Sequence, residues 1–463
     1  MKLKIKTDSR KVEDGDIFVA LKGYTVDGHD FIQKAIENGA GTVVCERDND
    51  YTVDTVVVED SKQYLIDYLK QHYNQYLSKM KIIGITGTNG KTTCANLLHN
   101  LLNQTGVKTA YIGTLGFYIG KKIQSLPNTT PDVLELYEFM LHAYEVGCEY
   151  VIMEVSSQGL DDRNRRVEGF TFDIAMFTNL TQDHLDFHKT MGNYALAKQK
   201  LFYKLKPGGV AVVNYDDQYR DYYLLENNKN ITYGLTGGDY QASDIQMTST
   251  GSKFTLRSNG MVEKIETSLI GEYNIYNLLS IITILLELGY TITDIKKMVR
   301  KLKMPDGRMD TVAYGSNSII VDYAHTADAI KKILDTMHQV NPKHIYVVFG
   351  CTGDRDRLKR PIMTKIVSDL TDHMIITIDD PHYEDPKQVV DDMIEGLEQT
   401  NYEVILDRAK AIHRGIDLLK DEDILLVLGK GHEEVILFRD QRIPFNDKQE
   451  ILKYLEQIKI HND

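Results

Sequence analysis

The segment from residue 81 to residue 105 constrains the fold more than any other part of this chain. An apolar run, 81–86, ends in Gly87-Thr-Asn-Gly-Lys-Thr-Thr93, and the stretch after it places apolar residues at Cys94, Leu97, Leu98, Leu101 and Leu102. The run predicts a buried strand. The spacing i, i+3, i+4, i+7, i+8 predicts an amphipathic helix over 92–105. A strand, a glycine-rich turn and a helix in that order point to an α/β unit with a mostly parallel sheet. Backbone N–H groups in such a turn face an anion, and the helix N-terminus adds partial positive charge. Gly87, Thr88, Asn89, Gly90, Lys91, Thr92 and Thr93 therefore form a candidate phosphate cradle. Lys91 is placed to reach the β- and γ-phosphates, and the Thr92 hydroxyl to ligate Mg²⁺. The match to G-x-x-x-x-G-K-[ST] is incomplete, because Ile85 stands where that pattern has glycine.

The same alternation of apolar runs and helical stretches organises the rest. Residues 1–78 read as a small α/β unit with strands at 16–20, 41–45 and 55–58. Residues 79–305 hold the phosphate turn and further buried runs at 150–155, 172–178 and 210–213, read as strands of a mostly parallel sheet. Pro305 and Gly307 mark a hinge over 305–309. Residues 306–463 then repeat the pattern with runs at 319–321, 345–349, 374–378 and 424–428, a second α/β domain. The 463 residues suit about three domains.

A net charge of −13 argues against a general nucleic-acid binder, which carries a basic excess. No apolar run approaches the ~18 residues of a membrane span. The N-terminus alternates lysine with apolar residues and lacks the apolar core of a secretory signal. Cys45, Cys94, Cys148 and Cys351 are far apart and form no C-x-x-C pair, so neither a disulfide scaffold nor a zinc ribbon is expected, and a reducing cytoplasm fits.

Two further segments carry chemistry. Glu154 closes the buried run in Val151-Ile-Met-Glu-Val-Ser-Ser157, where a carboxylate can hold a metal or orient water beside a phosphate turn. In Thr178-Asn-Leu-Thr-Gln-Asp-His-Leu-Asp-Phe-His188, two histidines and two aspartates lie within six residues. That set suits a cation site or a polar surface turn.

With these pieces in order, nearly the whole chain resembles the Mur ligases, the ATP-dependent amide-forming family of peptidoglycan precursor synthesis. The resemblance rests on Asp8-Ser-Arg10, Gly15 to Leu21, Gly23 to Asp30, GTNGKTT, Asn128-Thr-Thr130, EVSS at 154–157 and DHLDFH. It continues through Tyr194-Ala-Leu-Ala-Lys198, Gly271 to Asn277, Gly307-Arg-Met-Asp310, Asp322-Tyr-Ala-His-Thr326, Gly353-Asp-Arg-Asp-Arg357, Asp379-Asp-Pro381 and Gly429-Lys-Gly-His-Glu433. DSR, GDRD, D-x-P and GKGHE single out the MurE type, which adds the third stem-peptide residue to UDP-N-acetylmuramoyl-L-alanyl-D-glutamate.

The resemblance implies three domains: a small N-terminal UDP-binding domain, a central P-loop domain and a C-terminal Rossmann-like domain that binds the amino acid. It implies phosphorylation of the D-Glu carboxylate by ATP, attack on the acyl phosphate by an amine, and loss of phosphate. Thr92 and Glu154 would hold one Mg²⁺, and His184 a second with Lys198, which matches a lysine carried as the carbamate N6-carboxylysine. Lys91, Lys198, His184 and Glu154 would be the catalytic set. Asn274 and Asn277 would lie near adenine, and Arg308 and Asp322 would close on phosphates and ribose. Ser9 would contact the uridine diphosphate, with Asn128, Thr129, Thr130, Ser156 and Arg166 around the muramoyl dipeptide; Arg163 or Arg165 is open in place of Arg166. Gln158 stands where many relatives have histidine, so no acid–base role is assigned to it. A monomer acting on small molecules is implied.

Arg355, Asp379, Asp380, His382, Gly429 and Glu433 match the amino-acid site. Members that add meso-diaminopimelate carry D-N-P-R, whose arginine grips the distal carboxylate. Here the segment is Asp379-Asp-Pro-His382. A neutral histidine is a poor carboxylate clamp, and two acids suit a distal ammonium, so L-lysine is the expected acceptor. Alternatives are meso-diaminopimelate, L-ornithine, another UDP-linked peptide substrate, or a non-catalytic binding homologue.

Overall fold

The computed structural model describes residues 2–23, 26–47, 50–248, 251–300 and 302–462. Tyr24 and Thr25, within the Gly23–Asp30 motif, lie outside them. Three large sheets follow one another along the chain, and a two-stranded ribbon, Val435–Phe438 with Gln441–Pro444, lies near the C-terminus. The N-terminal sheet is all parallel, in the order Ile5–Lys6, Ile17–Val19, Thr42–Cys45, Asp54–Val57. Helix Ser61–Leu77 packs on the next domain and is capped by Asp60, whose side chain accepts from the Gln63 N–H.

The central sheet has eleven strands. Lys81–Thr86 sits at its middle, between Phe172–Phe177 and Tyr150–Glu154, both parallel to it. Ile82, Ile83 and Ile85 are buried, so the strand is apolar on both faces. The three C-terminal ends open at one sheet edge, where open parallel sheets place their ligands. Antiparallel ribbons extend both edges, through Gly116–Ile119 and Lys121–Gln124 on one side and Tyr240–Thr248, Gly251–Ser258 and Met261–Thr267 on the other. The apolar-run reading does not reach these ribbons. Their residues alternate between exposed and buried or are exposed throughout, so they present no continuous apolar run.

The C-terminal sheet has six strands. Asp310–Tyr314 pairs antiparallel with Asn317–Asp322 at one edge, and the remaining pairings are parallel. Separate apolar cores fill its two faces, one around Leu334, Val367 and Met393, the other around Ile412, Ile416 and Ile451. This is the doubly wound α/β arrangement that the alternating pattern predicts. Among the described residues no helix is long and apolar enough to cross a membrane.

One buried ion pair organises the C-terminal domain. Arg408 and Asp447 are both fully buried, with Nε and Nη2 of the arginine 2.7 Å from the two carboxylate oxygens. Arg408 also donates to the Ile378 and Leu428 carbonyls, each at 3.0 Å. It therefore ties together the two strand ends that precede Asp379 and Gly429. Removing one partner of such a pair leaves the other charged and unpaired, at a cost of about 3–5 kcal/mol. Arg408→Ala should lower the denaturant midpoint of this domain by a corresponding amount; an unchanged midpoint would refute the assignment.

Candidate active site

The phosphate turn begins at Gly87, whose φ is +145° and where a Cβ would overlap the Thr178 hydroxyl. Only glycine fits this close crossing of the loop over the adjacent strand end. Gly90 caps helix Lys91–Gln104 with φ +87°. The loop is pinned from the neighbouring strand: Thr88 N–H donates to Asn179 O at 2.7 Å, Asn89 N–H to Asn179 Oδ1 at 3.1 Å, and the Thr178 hydroxyl to Asn89 O at 2.7 Å.

Two lysines converge beneath this loop. Lys91 Nζ donates to Gly87 O at 3.0 Å and Thr88 O at 2.9 Å. Lys198 Nζ donates to the same Gly87 carbonyl at 2.8 Å. Burial pulls both ammoniums below the usual lysine range, and for Lys198, which falls well below it, the nearby Lys91 charge adds to the effect. Lys198 is held from the side by the Tyr194 ring, 4.4 Å away.

Glu154, fully buried, receives a complete set of donors. Thr92 Oγ1 reaches Oε2 at 2.8 Å, Tyr111 OH reaches Oε1 at 2.6 Å, and Thr114 supplies its N–H at 2.9 Å and its hydroxyl at 3.2 Å. Thr92 and Glu154, which the resemblance assigns to one Mg²⁺, are thus joined by a direct hydrogen bond. Tyr111 and Thr114 are missed in the sequence, because Tyr111 lies in the apolar strand Thr109–Gly113 and looks like core.

His184 lies at the edge of this cluster with φ +52°. Its Nε2 is 3.4 Å from Asp183 Oδ2, and Gln158 Nε2 is 3.4 Å from its Nδ1. Burial raises the Asp183 carboxyl, but His184, His325 and Lys359 outweigh it and hold the group below its ordinary value. His188 points away, with Nε2 2.9 Å from Ser157 Oγ and its ring stacked on Tyr194. Burial and Lys198 push its pKa down to about 4. Among the described residues the only three His, Cys, Asp or Glu ligand atoms within 4.8 Å of one another belong to Asp379, Asp380 and Glu433. Glu154 and His184 are not gathered into such a set.

A cavity of 310 Å³ opens beside the phosphate turn, lined by the central and C-terminal domains together. Asn277, Tyr273 and Tyr276 face it from one side, Arg308, Asp322 and Ile333 from the other. Arg308 stacks 4.7 Å over the Tyr323 ring, and its buried Nε has no hydrogen-bond partner. Asp322 accepts from Met309 N–H at 2.7 Å and Ala324 N–H at 2.8 Å. Asn274, next to Asn277 on the same helix, is set back from the cavity. Its amide donates to Ile270 O at 2.8 Å and accepts from Asn277 at 3.2 Å, so it braces the helix start and does not line the cavity.

On the opposite side of Glu154, Thr130 Oγ1 donates to Glu154 O at 3.0 Å and accepts from Ser156 N–H at 2.9 Å. The Thr129 and Thr114 hydroxyls are 3.1 Å apart, and Asn128 is exposed. Arg166 Nη1 donates to Thr130 O at 2.9 Å, whereas Arg163 pairs with Asp161 and Arg165 with Asp60 of the N-terminal domain. Of the three arginines, Arg166 is the one turned toward Thr130. Ser9 is buried in the short turn Ser9–Lys11, where Asn38 binds its carbonyl at 2.8 Å.

The amino-acid side differs from expectation in one respect. Asp379, Asp380 and Glu433 do come together, but Lys430 is among them, fully buried. Its Nζ is 2.7 Å from Asp380, 2.7 Å from Glu433 and 3.5 Å from Asp379. The acids are therefore already paired to a cation, unlike the unpaired acids that the lysine expectation pictures. Lys430, between two glycines, carries no burial signal in the sequence. His382 has φ +51° and is bound through its backbone to Leu437 O at 3.0 Å and Arg439 N–H at 2.7 Å. Arg355 is exposed, on a loop whose Gly353 N–H binds Asp380 O at 2.7 Å. The Gly429 N–H donates to Asp322 O at 3.1 Å, which links this pocket to the cavity wall.

A P-loop sheet facing a second α/β domain across a nucleotide-sized cavity defines a phosphate-binding enzyme whose site is assembled between domains. Three family models match in order: "Mur ligase family, catalytic domain" over 4–87, "Mur ligase middle domain" over 85–285 and "Mur ligase, glutamate ligase domain" over 307–431. UDP-N-acetylmuramoyl-L-alanyl-D-glutamate--2,6-diaminopimelate ligases of Bacillus cereus and Clostridium botulinum are each 40% identical, covering 96% and 98% of this chain and 92% and 95% of theirs. A solved 2,6-diaminopimelate ligase of that name aligns with a TM-score of 0.71 at 33% identity, covering 98% of this chain and 95% of the other. The MurF ligase of Thermotoga maritima, solved with ADP, shares the fold at 19% identity, with a TM-score of 0.71 and full coverage of both chains. The chain belongs to the Mur ligase family and is an ATP-dependent ligase of the MurE type.

Tyr111→Phe should leave Glu154 short of a buried donor, at a cost of about 1–3 kcal/mol. The variant should melt earlier and turn over more slowly. Wild-type melting and turnover together would show that the hydroxyl is dispensable.

Proposed function

We propose that this protein joins 2,6-diaminopimelate to the D-Glu carboxyl of UDP-N-acetylmuramoyl-L-alanyl-D-glutamate by way of an acyl phosphate. The observation that carries the reading is the cavity itself. Asn89 and Gly90 of the phosphate turn, the residues just before Lys91, form one wall, and Arg308, with its unpartnered buried Nε, forms the other. Lys91, Arg308 and the helix N-terminus would neutralise charge as the γ-phosphoryl group passes to the carboxylate oxygen and ADP leaves. The acceptor amine then forms the new C–N bond, and phosphate departs with its oxygen.

The Thr92 hydroxyl and Glu154 carboxylate are hard oxygen donors beside the phosphate turn, a set that fits Mg²⁺. Bound there, Mg²⁺ would supply charge neutralisation on the phosphates; His184 and Lys198 would serve a second ion. Asn277 with Asp322 would hold the nucleoside, and Ser9, Asn128, Thr129, Thr130, Ser156 and Arg166 the UDP-linked dipeptide. The division 1–78, 79–305 and 306–463 belongs to the same reading, as does a cytoplasmic monomer. Four free, buried cysteines are compatible with a reducing compartment.

Two observations support diaminopimelate over the expected lysine. The curated relatives are named for it, and the acids expected to favour lysine are tied to Lys430. Exposed Arg355 and Arg439 flank the 379–382 loop through the Gly353 and His382 backbone bonds, and either offers a guanidinium for a distal carboxylate. In equal competition the diaminopimelate product should predominate by mass. A predominance of the lysine product would overturn the acceptor assignment. Lys91→Ala should lower turnover by about 10²–10³-fold, and normal turnover would overturn the phosphate assignment.

Lys198 would act as a carbamate. Its buried amine, depressed in basicity, is a ready nucleophile for CO₂, and the product offers oxygen in place of a cation. Lys198→Ala should be nearly inactive and partly rescued by acetate. An unmodified lysine in active enzyme crystallised with bicarbonate and Mg²⁺ would rule this out.

A further inference from the structure

The loop that carries His184 is held at two points by the C-terminal domain. At one point Asp328, in the first turn of helix Ala327–Val340, accepts from Asn89 Nδ2 at 3.0 Å and from Thr181 Oγ1 at 3.5 Å. At the other, Lys359 Nζ reaches across the domain boundary to within 3.5 Å of Asp183 Oδ1. Asp183 in turn accepts from the His184 N–H at 2.9 Å. The Asp183 carboxylate also lies 3.4 Å from His184 Nε2, so it joins the metal-side loop to the Lys359 ammonium.

Lys359 opens helix Lys359–Leu370, and its backbone is anchored. The next residue, Arg360, is buried and donates to Glu384 at 2.7 and 2.9 Å, to Asp392 at 2.7 Å and to Thr352 O at 3.3 Å. Lys359 itself keeps 32% of its side chain exposed. A partly exposed lysine–aspartate pair contributes little to stability. What this pair does is fix the position of one domain's loop relative to the other's helix.

We propose that Lys359 is a positioning residue for the phosphoryl-transfer step. It docks the amino-acid domain onto Asp183, so that the metal-side loop is set only when that domain is seated. The inference rests on the ligase reading above and adds an order to it: the carboxylate is activated when the domain that delivers the amine is already in place. An acyl phosphate formed without that domain would be open to water; docking keeps water out.

The test compares Lys359→Ala, Lys359→Arg, Asp183→Asn and the Ala/Asn double variant. The readout is scrambling of ¹⁸O from the β,γ-bridge of ATP, with the UDP-linked dipeptide present and the amino acid left out. Lys359→Ala should lower scrambling about tenfold, with an unchanged melting temperature and unchanged KM for ATP and amino acid. Lys359→Arg should restore it, and Lys359→Ala should cost nothing further on top of Asp183→Asn. Undiminished scrambling in Lys359→Ala, a loss confined to the amino acid's KM, or additive losses in the double variant would overturn the proposal. If wild-type enzyme makes no product from this substrate, the ligase reading fails, and scattering decides the docking separately. With a non-hydrolysable ATP analogue, Lys359→Glu sets like charges against each other and should give a larger radius of gyration than wild type. Equal radii would overturn the docking.

Discussion

Two lysines share one carbonyl oxygen, and much of the active site follows from that arrangement. Lys91 and Lys198 both donate to Gly87 O from beneath the phosphate loop. Burial starves both ammoniums of water and lowers their basicity, and the Lys91 charge lowers Lys198 further. A pair of cations in this position is relieved either by an arriving phosphate or by conversion of one amine to an anion, the route proposed for Lys198. The strand Lys81–Thr86 makes the arrangement possible by delivering the loop to the middle of the sheet, with Glu154 on one flank and Thr178 on the other.

The same logic explains why the cavity lies between domains. The phosphate turn offers donors on one side only, while Arg308 comes from the 305–309 segment and Asp322 from the C-terminal domain beyond it. Gly307 sits where that segment crosses the GKGHE loop. Its φ is +66°, and a Cβ there would overlap the His432 backbone nitrogen. The hinge is therefore packed directly against the loop that carries Lys430 and Glu433. The segment that carries Arg308 is thereby fixed to that loop.

The strand–turn–helix of the phosphate site was readable in the sequence because one local pattern encodes it: an apolar run, a turn that needs glycine and a helical stripe. Glu154 was readable for the same reason, as an acid at the end of an apolar strand. What escaped was chemistry made by distant segments meeting. Tyr111 looks like core until Glu154 is placed beside it. Lys430 looks solvated until the 379–380 loop closes on it. Asp183 is visible in its motif, but its partners arrive from Tyr323-Ala-His325 and from the start of helix Lys359–Leu370. Asn274 is a polar residue whose amide is already engaged by its own segment, with Ile270 O and Asn277. The antiparallel ribbons were missed because their half-exposed strands lack an apolar run.

The acceptor pocket shows how one buried cation changes a specificity argument. Asp379, Asp380 and Glu433 set three carboxylates against the single Lys430 ammonium. Burial raises Asp379 and Glu433 above the usual carboxylate range, while the three acids together outweigh burial and raise Lys430. The cluster therefore still accommodates positive charge, but any α,ω-diamino acid supplies an ammonium. Diaminopimelate and lysine are alike in that respect, so the acids cannot tell them apart. The two acceptors differ only in a second carboxylate, and discrimination must arise where that group would lie. An unpaired carboxylate entering a closed pocket is expensive, whereas one that meets a guanidinium is held in two hydrogen bonds. On the diaminopimelate reading proposed above, selection falls to the arginines around the 379–382 loop, while the acidic residues hold Lys430 and the loop in shape.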